Sequence, residues 1–113
     1  MNNTINRLDA FVLMLLKEQD KNGLVVFPNT MSIPPAIKQI GTMLDFLNIP
    51  FVANAREGRI EIGNSEIRCM SINQEWLRYF MGTDAYLLFD GAAILRVTLE
   101  QFRWLCGHTE GAT

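Results

Sequence analysis

Apolar residues recur at helical spacing from residue 4 to about 21, at Ile5, Leu8, Val12, Leu15 and Leu16. Asn3 or Thr4 can cap that helix, and Gly23 after "DKNG" suits a left-handed stop. The stretch "LVVF", 24–27, is apolar throughout, as a strand buried on both faces requires. Ser32 and Pro34 then open a second helix, with a stripe at Ile37, Ile40, Met43, Leu44 and Leu47, and "NIP" closes it. Beyond it the period changes from helical to alternating. "FVANA" reads as a strand, and "RIEIG" and "EIRCMS" alternate apolar with polar as a hairpin turning at Gly63. A short helix over "NQEWLRYF" precedes a second fully apolar strand, "AYLLFD". Thr98 and Gln101 form a capping box for a last helix over about 98–106, stopped by Gly107. The order α-β-α-β-β-β-α-β-α predicts an α/β fold, with a mostly parallel central sheet, helices on both faces and a β-hairpin insertion. "LVVF" and "AYLLFD" are expected to be central, parallel and adjacent or nearly so. Residues 1–113 form one domain, ending in a flexible tail at 107–113.

The chain's 113 residues support one core, and 49% of them are hydrophobic. A net charge of -2 argues against a nucleic-acid binder that relies on a basic face, and against a DNA mimic. Cys69 and Cys106 show no metal-ligand spacing, which predicts reduced, structural thiols in a cytoplasmic protein. The one histidine, His108, lies in the polar tail, away from any ligand partner. No apolar run reaches the roughly 18 residues of a membrane span, and no signal peptide is evident, so no membrane partner is expected. No nucleophile has a base beside it in sequence. The expectation is a non-enzyme with no cofactor and no metal.

Three stretches, "LVVFPNTMS", "IEIGNSEIRCMS" and "EWLRYFMGTDAYLLFDGAAIL", occur in an order that resembles the ATPase core of phage large terminases and related helicases, over roughly residues 23–96. The resemblance implies a RecA-like ancestry and phage or mobile-element origin. It also implies that Asp90, at the end of its strand, matches the family's magnesium-binding aspartate. The match lacks parts. No GxxxxGK[ST] is present to cradle phosphates, Tyr79 follows "LR" where the family has Gly, and Gly91 replaces the catalytic glutamate. What remains is the shell of such a core without its chemistry.

A binding role follows, with a protein partner or a second copy as the occupant. The partner could be a nucleic-acid-processing machine that the chain assists or inhibits. Phe102 and Trp104 cannot share one face of a helix, because residues two apart diverge by about 200°. The stripe Leu99, Phe102, Leu105 and Cys106 places Phe102 inward. Trp104 is then outward as an interface anchor beside Arg96 and Arg103, with Tyr79 outward on its own helix while Trp76 and Phe80 enter the core. Two alternatives stand beside this one. Asp90 could hold a nucleotide in a site completed by a partner chain. Arg56, Arg59 and Arg68 could form a basic strip for nucleic acid, although neighbouring Glu57, Glu61 and Glu66 favour cross-strand ion pairing.

Overall fold

Strand β1 (Asn22–Phe27) runs through the middle of the molecule, and Leu24 to Phe27 are at most 2% exposed, as an all-apolar strand demands. The computed structural model describes residues 7–18 and 21–111, with side chains through Leu105 apart from Ala92. Helices α1 (Arg7–Lys17), α2 (Ile33–Phe46), α3 (Trp76–Gly82) and α4 (Leu99–Gly111) surround strands β2 (Val52–Asn54), β3 (Arg59–Ile62), β4 (Ser65–Ser71) and β5 (Ala85–Phe89). The five strands form one sheet in the order β2-β3-β4-β1-β5. β1 pairs in parallel with β4 on one side and β5 on the other, while β2-β3 and β3-β4 are antiparallel.

The α/β class is therefore observed, and the mostly parallel sheet holds in part: the sheet is mixed, with two parallel and two antiparallel pairings. The hairpin is no insertion, because β4 is the inner neighbour of β1 and β3 lies between β4 and β2. Only β3 runs against the others, and it gives both antiparallel pairings. A second expectation holds in part. β5 lies parallel to β1 and directly beside it, but at the edge of the sheet rather than the centre, and each of its residues is at least partly exposed. An all-apolar run looks alike whether a neighbouring strand or a helix covers it, so composition could not separate centre from edge.

Two cores flank the sheet. Leu8, Phe11, Val12 and Leu15 of α1 pack with Ile37, Ile40 and Leu44 of α2 on Val25, Phe27, Ile60, Ile67 and Cys69. On the opposite face Leu24 and Val26 meet Trp76, Ile72 and Ala93, with Leu77, Phe80, Val97 and Leu105 at the margin. Trp76 is fully buried and meets the Phe89 ring edge-on, centroids 5.2 Å apart. The crossover from β1 to β2 uses the first face, and that from β4 to β5 uses the second. They travel in opposite directions, as crossovers of a single hand require.

Local chemistry fixes the ends of these elements. α2 stops in a Schellman motif: Asn48 takes φ 59°, its N–H donates to Asp45 O (3.0 Å), and Ile49 N–H donates to Leu44 O (2.9 Å). The Thr98–Gln101 capping box forms as expected, with each backbone N–H donating to the other side chain at 3.1 Å. α4 then continues through Gly107 to Gly111, past the stop expected there. Gly63 turns the β3-β4 hairpin at φ 59°, and Gly58 turns β2 into β3 at φ 66°.

Those two glycines should respond differently to alanine. A Cβ at Gly63 meets nothing within 4 Å, whereas one at Gly58 would stand 2.5 Å from Cys69 O. Gly63→Ala should cost about 1 kcal/mol, the strain of a left-handed alanine, or roughly 4 °C of melting temperature at this size. Gly58→Ala should cost about 3 kcal/mol, because the backbone must also shift away from β4. Equal melting temperatures for the two variants would show that the Gly58–Cys69 approach is not tight.

Candidate functional site

The carboxyl ends of β1, β2, β4 and β5 all reach one edge of the sheet. The chain leaves β1 toward the α2 face and leaves β4 and β5 toward the α3 face, so a crevice opens on each side of the β1 end. The smaller, about 300 Å³, lies between the α2 start and the β2-β3 turn and includes Arg56, Glu57, Cys69 and Gln74. The larger, about 560 Å³, lies toward β5 and α1 and includes Leu8, Phe27, Ala36 and Asp90. Burial pushes the Cys69 thiol up to about 12, reinforced by the charge of Asp90 and opposed by that of Arg68, which leaves it protonated and unreactive.

Asp90 thus reaches the crevice mouth, as its place after a strand implies. Its backbone is pinned, with N–H donating to Val26 O (2.8 Å) and O accepting from Ala93 N–H (3.3 Å). Its half-buried carboxylate makes no capping bond to the 3-10 segment Gly91–Arg96 that follows. Among the described residues no group of acids, cysteines and histidines stands ready to share a cation with it. Two further features weigh against phosphate binding. Pro34 and Pro35 occupy the first turn of α2 and remove backbone N–H donors that a phosphate cradle needs. Gly91 holds φ 60°, a conformation that a glutamate at this position would adopt only under strain.

The C-terminal helix is rotated relative to expectation. Phe102 is 55% exposed and Leu99 64%, while Trp104 and Leu105 are half-buried, with Leu105 on the second core. Leu105 belongs to two overlapping apolar stripes, one through Phe102 and one through Gln101 and Trp104. Seating Val97 and Leu105 on the sheet selects the second stripe. The outward Trp104 anchor is therefore corrected to an outward Phe102. The Cys106 and His108 side chains lie outside the described residues. Ile94 (49%) and Leu95 (83%), on the 3-10 segment just before α4, are exposed too. The sequence reading missed both, although adjacent residues on a helical turn cannot both face one core. Arg103 is exposed. Arg96 instead braces the edge, donating to Pro28 O (2.7 Å) and Asn73 Oδ1 (3.2 Å), and so joins the loops after β1 and β4.

The hairpin arginines do not form one strip. Arg59 is paired with Glu57 and, at 3.4 Å, with Glu61, both on its own side of the hairpin; the cross-strand ion pairing expected there is not formed, because Arg59 stands opposite Arg68 and Glu61 opposite Glu66. Arg56 is exposed in the β2-β3 turn. Arg68 lies 5.5 Å from the Tyr79 ring centroid, and its buried Nε has no hydrogen-bond partner. Tyr79 is half-buried rather than outward, because its hydroxyl donates to Glu66 Oε2 at 2.7 Å. Comparison with family models, curated proteins and solved structures returned no match for this chain.

Burial, then the hydrogen bond and charge of Glu66, push the Tyr79 phenol from 10.0 up to about 12. A raised folded value favours the protonated phenol, so its contribution to stability is complete below pH 10 and is lost as pH climbs toward 12. Tyr86→Phe leaves Tyr79 as the sole tyrosine. In that variant the tyrosinate absorbance should titrate near 12 in the native protein and near 10 in denaturant. A native midpoint near 10 would break the Tyr79–Glu66 assignment.

Proposed function

We propose that this chain is a small non-catalytic α/β module of phage or mobile-element origin, an ATPase-like core without hydrolysis, that works by binding a protein partner. The binding surface is formed by the 3-10 segment and α4. Ile94, Leu95, Leu99 and Phe102 carry this reading: four large apolar side chains stand exposed on two successive elements. Apolar surface left in water is typical of protein contacts when it gathers in one region. Glu100 and Arg103, both exposed on α4, supply a charged rim. The partner fitting the motif order is a nucleic-acid-processing machine, which the module would assist or inhibit; self-association through the same surface is the other occupant.

The nucleotide reading has less support, given the two prolines at the α2 start, the left-handed Gly91 and the isolated Asp90. Direct nucleic-acid binding is disfavoured by the -2 net charge and by the paired Arg59. Mg-ATP should leave the melting temperature unchanged. A bound ligand at a hundred times its dissociation constant would add about 2.7 kcal/mol, so a shift is easily seen.

Leu95→Asp and Phe102→Asp test the main reading directly. Both side chains are exposed, so each variant should keep its stability within about 0.5 kcal/mol. Association should weaken roughly thirtyfold, read as self-association by sedimentation velocity and as stoichiometric capture of a defined partner from host lysate. A large melting drop would mean that these residues are core. Unchanged association with an unchanged melt would place the interface elsewhere.

A further inference from the structure

The larger crevice at the carboxyl edge has an arrangement that the protein-binding surface does not use. Its floor is formed by the buried Leu8, Phe27 and Ala36, and its accessible wall by Met31 and Pro35, with Ser32 and Gln39 adding polar groups. Two opposite charges line the same space, Arg7 at the start of α1 and Asp90 after β5. They form no ion pair with each other, and among the described residues neither has another ion-pair or side-chain hydrogen-bond partner. Asp90 is a half-buried residue, and no hydrogen-bond donor meets its carboxylate among the described residues. Its main chain is fixed at both ends by hydrogen bonds to β1 and to the 3-10 segment, which limits its retreat toward solvent.

From this geometry we infer that the crevice binds a small zwitterion with an apolar body, of the chemical class of a free aliphatic or thioether α-amino acid. The ammonium donates to Asp90. The carboxylate meets the Arg7 guanidinium, whose planar fork suits two parallel hydrogen bonds. The apolar body lies on Met31 and Pro35, over the buried floor of Leu8, Phe27 and Ala36. A single ion would satisfy only one of the two charges and leave the apolar wall wet. A ligand carrying both charges satisfies both walls and keeps the site electrically neutral. The volume of about 560 Å³ falls within the range of small-molecule pockets. The position, beside the end of a central strand where successive connections diverge to opposite faces, is where open α/β sheets hold ligands. A peptide N-terminus would offer the ammonium without the adjacent carboxylate, and so uses half of the site.

L-Leucine and L-methionine are the probes, titrated calorimetrically into the full chain up to about 10 mM, the range in which weak small-ligand binding is read. Saturable binding of at least one is expected. Its methyl ester, which lacks the carboxylate, and its N-acetyl form, which lacks the ammonium, should each bind at least tenfold more weakly. Asp90→Asn and Arg7→Gln should each weaken the free amino acid at least tenfold with the melting temperature of the unliganded protein unchanged. Arg7 is exposed, so Arg7→Gln stays informative even if Asp90→Asn is poorly folded. Binding of the ester equal to that of the free amino acid would overturn the zwitterion in favour of a bare ammonium or a peptide terminus. No heat from either probe, or binding indifferent to Arg7→Gln, would overturn the site.

Discussion

The pairing of β1 on both edges, with burial on both faces, is the constraint on which this molecule depends. A strand without an exposed face must have helices above and below and a strand on each side. Every other element meets one of those four needs. α1 and α2 close one face, α3 and the 3-10 segment close the other, and β4 and β5 take the edges. Gly23 shows how closely this is built: the ends of the Leu15 and Phe11 side chains of α1 occupy the space where a Cβ would stand, so they pack directly on the β1 backbone.

The same geometry opens the crevices at the carboxyl edge. Because the connections leave β1 and its neighbours in opposite directions, space remains on both sides of the end of β1. Side chains brought there come from distant parts of the sequence: Arg7 from the first helix, Asp90 from the last strand. Arg96 fixes the rim by joining the loops after β1 and β4. Ser71 beneath it is fully buried, and its hydroxyl accepts from Asn73 N–H at 3.0 Å, which shapes the turn into α3.

Much of this architecture was legible in the sequence. Period and composition located the strands, the two-sided burial of Leu24 to Phe27, the hairpin at Gly63, the α2 boundaries and the Thr98–Gln101 cap. They also placed Asp90 at the end of a strand. Strand order was not legible, because "AYLLFD" reads the same at an edge as at a centre. Nor was the rotation of α4, since two stripes sharing Leu105 compete and only tertiary packing decides between them. The presence of Arg7 and Asp90 on the lining of one crevice has no sequence signature at all, as it arises from the crossing of connections.

The position of β1 also has a kinetic side. It is made early, but its partners, at Cys69 on one edge and Leu88 on the other, come much later in the chain. Until β5 is synthesised, β1 keeps at least one edge of backbone N–H and C=O groups unpaired, and closing such distant pairs carries a loop-entropy barrier. During translation the nascent chain therefore carries an unpaired, highly apolar strand for most of its synthesis. Such a strand is a template for misassociation. Slow translation through 72–89 would prolong that exposure, and a chain truncated before β5 would never end it.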